Sequence, residues 1–204
     1  MSPPRSPFRS PLALALFFGV TIVGVTLDLW TKTLAFEKLP IEINVQPDPA
    51  LPQGRFEVDS RTYVFIPSFL NFHATANQGA VFGFGRGQRW LFVIVSIVAI
   101  VVLTSLFARS HGRWFYQLLL GMLLAGVLGN MYDRIRLGYV RDMIWALPDW
   151  KNPLHGTFPS TPTTIFPWIF NVADSLLCVG VFLMIVYSFI QRPEKPAEPE
   201  TAPS

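Results

Sequence analysis

Charge is scarce in this chain. Asp, Glu, Lys and Arg make up only 14% of its 204 residues, against about 25% in an ordinary soluble domain. That shortage excludes a disordered chain, which is richer in polar and charged residues. One cysteine excludes a disulfide-stapled secreted domain. Histidine is limited to His73, His111 and His155, scattered without metal-ligand spacing; each reads as a loop residue, and no metal or cofactor is expected. The 16 basic and 13 acidic residues nearly balance, without the clustered Lys and Arg of a nucleic-acid binder. No internal repeat and no phosphate-cradling glycine loop is found. What the chain has in abundance is apolar residues, 51% of the total, with a mean hydropathy of +0.40. One membrane-embedded unit is the class that remains.

Crossing a bilayer core takes about 20 helical residues. Four runs reach that length, at 12–36, 90–108, 114–132 and 168–190. None shows the strict alternation of a barrel strand, and helices satisfy their own backbone in lipid. The expected fold class is an all-α membrane protein of four transmembrane helices with a small β-containing element at the outer face. Residues 1–192 form a single four-helix domain in this reading. Residues 193–204, rich in Pro and Glu, form a disordered cytoplasmic tail.

Arg5 and Arg9 before an apolar stretch resemble a secretory signal. The apolar stretch continues from Leu12 to Leu27, which favours a retained first span. Four spans place both termini on one side. The tight Arg109–Arg113 connection marks the inner face, because short loops weigh most in the positive-inside rule. The outer segments are then 37–89 and 133–167, and the alternation over Arg61–Ile66 reads as a strand.

Ionisable residues at membrane depth are functional candidates by default. Four blocks qualify. Asp28 and Lys32 are four apart and share a helix face; they either anchor the first helix as an ion pair or serve near an active site. Asn77-Gln-Gly-Ala-Val-Phe-Gly83 is either an ordinary turn or a place of close backbone approach, through Gly79 and Gly83. Asn130, Asp133 and Arg134 share one helix face. There Arg134 is expected to compensate Asp133, which makes Asp133 structural. Asp142, nine residues on, lacks a sequence-local partner and is freer to titrate. Asn171, Asp174 and Ser175 share a face in the fourth span. Asp174 is placed about 9 Å into that span if the helix begins near Trp168; a functional carboxylate is favoured there over a packing one.

Taken in order, the four blocks resemble the bacterial lipoprotein signal peptidase (signal peptidase II) family. That family shows Asp-x-x-Thr/Ser-Lys, matched by Asp28 to Lys32, and Asn-x-Gly-Ala-Ala-Phe, matched by Asn77 to Phe82. It then shows Gly-Asn-x-x-Asp-Arg with Val-Val-Asp-Phe, matched by Gly129 to Arg134 and Val140 to Met143. Its last block, Phe-Asn-x-Ala-Asp-Ser, is matched by Phe170 to Ser175. The resemblance spans the chain from first span to fourth. It implies a membrane aspartic endopeptidase of the bacterial cytoplasmic (inner) membrane, with its active site at the outer face. Such an enzyme removes the signal peptide of a diacylglyceryl-modified prolipoprotein by cutting on the N-terminal side of the lipidated Cys. It implies that Asp142 and Asp174 are catalytic. Asn77, Gly79, Asn130, Asp133, Arg134 and Asn171 then support them or the substrate, and Asp28 and Lys32 are structural and further from the chemistry.

The chain departs from the family pattern at Val81, at Arg141 beside Asp142, and in longer outer segments at 37–70 and 143–167. Arg141 either lowers the pKa of Asp142 or faces the headgroups. The chemistry suits the residues. Two carboxyls sharing one proton supply both a base for water and an acid for the leaving amine. No Ser or Cys nucleophile stands out, and Cys178, near the Asp174 face, reads as packing. The expected partners are prolipoprotein substrates and membrane lipids, not nucleic acid, with the chain as a monomer. The alternatives are a small proton- or ion-coupled transporter, disfavoured by the missing repeat symmetry, and a non-catalytic assembly subunit whose polar blocks pack helices.

Overall fold

The structure is a computed structural model that describes residues 6–39, 41–48, 51–79, 87–157 and 161–190. The expected tail, 193–204, and the part of the second block from Ala80 to Gly83 lie outside the described residues.

Four helices are long and apolar enough to cross a membrane. They are α1 (Pro11–Lys38), α2 (Arg89–Ala108), α3 (Trp114–Arg136) and α4 (Val172–Ile190). Their packing inverts that of a soluble bundle. Trp90, Leu91, Ile94, Val95 and Val98 on α2, and Phe182, Ile185 and Phe189 on α4, all point outward and are exposed. Such apolar outer faces are what lipid solvates.

The helices meet through small residues, which let backbones approach closely. A methyl group added at Gly121 would lie 2.7 Å from the carbonyl oxygens of Leu16 and Phe17 on α1. One at Gly126 would lie 2.6 Å from the Ala173 carbonyl oxygen on α4. α3 is therefore the central helix, packed on all three others. Away from the polar blocks, the core is an apolar cluster around Phe17, Leu103, Phe107, Leu120 and Leu124. The Phe17 and Phe107 rings stack at 4.2 Å. The nearby connection after α2 is held by Gln117, whose side-chain amide donates to the buried Ser110 hydroxyl at 2.9 Å.

At the other end of the bundle the strands collect, and they extend well beyond the one strand read at 61–66. A hairpin pairs β1 (Ile41–Asp48) with β2 (Leu51–Ser60) antiparallel. A second, antiparallel sheet has the order β3-β4-β5-β6: β3 (Tyr63–Ile66), β4 (Leu70–Asn77), β5 (Val140–Ala146) and β6 (Ile169–Phe170). Its register sets Thr75 opposite Asp142 and Asn77 opposite Val140. Asn77 and Asp142 therefore lie on one face as diagonal neighbours. His73 sits in β4, not in a loop, and its Nδ1 lies 3.0 Å from the Thr62 hydroxyl.

The fourth helix starts at Val172 instead of near Trp168. Its start is written in Asn171-Val-Ala-Asp174, an Asx residue followed three positions later by an acid, which is a reciprocal cap. The Asn171 side-chain oxygen accepts from the Asp174 backbone N–H at 2.9 Å. The Asp174 carboxylate accepts from the Asn171 backbone N–H at 3.3 Å. Asp174 thus lies in the first turn, at the mouth of the helix, and not 9 Å inside it.

Candidate active site

The four blocks converge where the helices meet the second sheet. α1 brings Asp28 and Lys32, both fully buried. The Lys32 ammonium lies 2.7 Å from the Asp28 carboxylate and 3.4 Å from that of Asp133 on α3. It also donates to the Asn130 side-chain oxygen at 3.0 Å. The other Asp28 oxygen accepts from the Ala173 backbone N–H at 2.9 Å, so α1 caps the first turn of α4. Gly129 makes room for this contact, since a Cβ there would run into the Asp28 carboxylate. The i,i+4 pair expected from sequence forms. It also touches the amide that holds Asp174, so it is nearer the candidate chemistry than the family pattern implies.

Asp133 is paired, but not with Arg134. Its carboxylate is gripped by Arg141, with the guanidinium at 2.8 Å and the backbone N–H at 3.0 Å. Strand alternation explains this: neighbours on β5 point to opposite faces, so Arg141 turns to α3 and away from the cleft while Asp142 turns into it. Arg141 also reaches the Thr33 hydroxyl on α1 at 3.3 Å. Arg134 instead donates to the Gly79 carbonyl at 3.0 Å and lies over the Phe92 ring at 4.9 Å. The expected Asp133–Arg134 pair is thus replaced by one from a strand that local spacing does not bring near.

Asp142 and Asp174 sit together on the other side of this layer, held by side-chain amides. Asn77 Nδ2 donates to Asp142 at 3.0 Å and Asn171 Nδ2 donates to its other oxygen at 2.7 Å. Asn130 Nδ2 donates to Asp174 at 2.8 Å. Asn171 also reaches the Asn130 side-chain oxygen at 3.2 Å, so three asparagines form one bracket around two carboxyls. Among the described residues, no Lys, Arg or His forms an ion pair with either acid. Asp142 is 1% exposed. Burial pushes its pKa up to about 7, and the Asp174 charge adds to the rise, against the two amide hydrogen bonds and the more distant Lys32 charge that oppose it.

The two acids open onto a cavity of about 1580 Å³. One side is apolar, with Phe166, Trp168, Ile169 and Phe170 before α4 and Cys178 and Val179 on it. Cys178 is exposed in this wall and not packed inside the protein. The lining also includes Asn44, Arg55, Phe56 and Glu57 of the β1–β2 hairpin. Gln78, which sequence reasoning passed over, ties that hairpin to the site. Its amide donates to the Gly54 carbonyl at 2.8 Å and accepts from the Phe56 backbone N–H at 2.9 Å. Its only sequence signal was its place between Asn77 and Gly79. Among the described residues no cluster of His, Cys, Asp and Glu suits a metal ion.

The chain is similar to known membrane peptidases. The family profile described as signal peptidase (SPase) II matches residues 20–190. The lipoprotein signal peptidase of Enterococcus faecalis is 31% identical over 181 residues, covering 88% of this chain and 91% of that protein. The lipoprotein signal peptidase of Rhodopirellula baltica is 32% identical over 180 residues, covering 86% of this chain and 72% of its own. A bacterial membrane enzyme solved by the in meso method at 2.3 Å resolution superposes with a TM-score of 0.65 and 26% identity, covering 89% of this chain and 93% of that one. The four apolar helices and these neighbours make the chain a multi-pass membrane protein. On the family match and the relatives together, the chain belongs to the signal peptidase II family of membrane peptidases.

Proposed function

We propose that this peptidase cleaves diacylglyceryl-modified prolipoproteins on the N-terminal side of the lipidated Cys, with Asp142 and Asp174 as its catalytic pair. The observation that carries the reading is the amide bracket. Two carboxyls face one cavity, neither is ion-paired among the described residues, and both are oriented by neutral asparagines. Such a pair retains one shared proton, because two like charges held close in a low dielectric do not both ionise. The raised pKa of Asp142 favours keeping that proton at neutral pH. One carboxyl takes a proton from water as its oxygen attacks the scissile carbonyl. The other donates to the carbonyl oxygen, and the proton then passes to the leaving amine as the C–N bond breaks. That amine becomes the new N-terminus of the lipidated Cys. Neither acid is given a fixed role; the steps belong to both together.

The cavity supports the substrate class. Its apolar wall along α4 suits acyl chains, whose burial is worth about 0.8 kcal/mol per CH₂. Arg134, with Gly79 beside it, lines the same cleft and is placed to donate to the substrate backbone. The membrane is the bacterial inner membrane, with the termini inside and the site at the outer face. The short basic Arg109–Arg113 connection supports that orientation. Membership of a peptidase family favours this reading over a transporter or an assembly subunit.

The test is incubation of the purified protein with a diacylglyceryl-modified prolipoprotein in lipid, beside Asp142→Asn and Asp174→Asn. Cleavage immediately before the modified Cys by the wild type alone is the expected result. An inert wild type in a lipid that supports folding overturns the activity. A variant that still cuts overturns its assignment.

A further inference from the structure

The β1–β2 hairpin occupies part of the outer segment 37–89, and it does not float free. It is fastened to the site at three points. Gln78 brackets Gly54 and Phe56 as described. The Ser60 hydroxyl donates to the Ala74 carbonyl of β4 at 3.0 Å. The Phe56 ring packs on Tyr139 at 4.9 Å, one residue before β5 begins. Gln78 follows Asn77, which holds Asp142, and precedes Gly79, which Arg134 holds. The hairpin is therefore rigidly indexed to the two acids.

Its two faces differ. Antiparallel register sets Asn44 opposite Glu57 and Gln46 opposite Arg55, and period-two alternation puts all four on one face. Phe56 and Val45 belong to the other face. Asn44, Arg55 and Glu57 line the cavity together with Phe56, so its hairpin lining is mostly polar. Glu57 accepts from the Gln46 amide at 2.8 Å and lies 3.8 Å from the Arg55 guanidinium. The Arg55 and Glu57 side chains are 43% and 46% exposed, and both line the cleft.

Position decides what it faces. The hairpin starts at Ile41, just past the end of α1 at Lys38, and so lies beyond the helix ends, at the same end as Asp142 and Asp174. The lining on α4 runs into the span, from Ser175 to Val179, about 6 Å of helix. The cleft thus passes from a charged extramembrane wall, across the two acids, to an apolar wall inside the span. A prolipoprotein has a matching polarity in depth: its signal segment and the acyl chains on the modified Cys are apolar and lie in the membrane, and the mature chain that follows the Cys leaves it.

We propose that the β1–β2 hairpin is a specificity wall for the mature chain just after the cleaved bond, with Arg55 and Glu57 reading its charge. The inference rests on the peptidase reading above. Charges at the rim of a binding surface act through sign complementarity, attracting the opposite charge and rejecting the like one. Two diacylglyceryl-modified prolipoproteins that differ only in the four residues after the Cys, acidic in one and Lys-rich in the other, provide the test. The readout is the ratio of kcat/KM for the acidic substrate over the basic one. Glu57→Lys raises that ratio about tenfold and Arg55→Glu lowers it about tenfold, where tenfold corresponds to about 1.4 kcal/mol. A purely structural effect of either variant slows both substrates alike and leaves the ratio unmoved. Cleavage by the wild type with an unchanged ratio in both variants overturns this inference alone. Failure of the wild type to cut either substrate overturns the peptidase reading and this inference with it.

Discussion

Asp133 and Asp142 are almost equally buried, at 0% and 1% exposure, and lie in one polar layer, yet their surroundings are opposite. On the Asp133 side, two carboxylates, Asp28 and Asp133, meet two cations, Lys32 and Arg141. The charges balance and the donors are spent. On the Asp142 side, two carboxyls are held by the amides of Asn77, Asn130 and Asn171, and among the described residues no cation forms an ion pair with either. Amides orient a carboxyl without fixing its charge, so its protonation can change during a reaction. A carboxylate gripped by two cations holds helices together. On the proposed assignment, the charge of an acid's partners, and not burial alone, marks the catalytic acid.

The sharpest way to break that contrast is to move the chemistry. Asp142→Asn and Asp174→Asn are each expected to lower cleavage of a modified prolipoprotein by about 10³-fold or more, while Asp133→Glu, which keeps its cations paired, loses far less. The range follows the contribution of positioned acid–base groups, about 10²- to 10⁴-fold. Initial rates on protein matched for folded fraction check this.

Next in size is the effect on stability. Lys32→Met leaves Asp28 and Asp133 short of a buried cation, a change worth about 3–5 kcal/mol. Thermal unfolding in detergent is expected to show a large fall in Tm. Phe107→Ala, in the apolar core far from both acids, is also expected to cost about 3–5 kcal/mol. That variant is expected to keep the wild-type pH–rate profile on its folded fraction, which separates loss of fold from loss of chemistry.

The pH dependence sharpens the comparison further. The folded pKa of Asp142 is raised from 3.8 to about 7, so the folded protein binds more protons than the unfolded chain between those values. The stability linked to this group is full below about pH 4 and is lost as pH rises to about 7. Asp142→Asn removes the effect. It is expected to melt above the wild type at pH 8, with the gap closing toward pH 4. The cleavage rate of the wild type is expected to fall as pH rises past about 7, when the shared proton is lost. The smallest effect is expected from Gln78→Ala. Loosening the hairpin is expected to raise KM several-fold with little change in kcat, as a steady-state titration of substrate would show.

Much of this was legible in the sequence because membrane depth makes polar residues conspicuous. Asp28 and Lys32 lie one helical turn apart, so their pairing follows from spacing. The four spans follow from uninterrupted apolar runs, and the blocks at their ends named the residues that meet. The partner of Asp133 was not legible, because Arg141 reaches it from β5 across a turn, and only strand alternation separates Arg141 from Asp142. The start of α4 was legible in principle: Asn171-Val-Ala-Asp174 is a capping signal, overridden by the longer apolar run from Trp168. The hairpin was hidden for a different reason. Its polar, Pro-interrupted stretch from Ile41 to Ser60 has weak strand propensity, and what holds it is contact with Gln78, Ala74 and Tyr139 from distant parts of the chain.

The most direct test of the central claim measures cleavage and melting temperature together, at pH 8, for Asp142→Asn and Asp133→Asn. Asp142→Asn is expected to lose cleavage and keep or gain Tm, because it removes a proton-exchanging group that destabilises the fold when charged. Asp133→Asn is expected to lose Tm, because it leaves Lys32 and Arg141 short of a carboxylate. The reverse pattern, with Asp142→Asn cutting normally or Asp133→Asn abolishing cleavage at an undiminished Tm, would contradict the division of this layer into a charge-balanced side and a catalytic one.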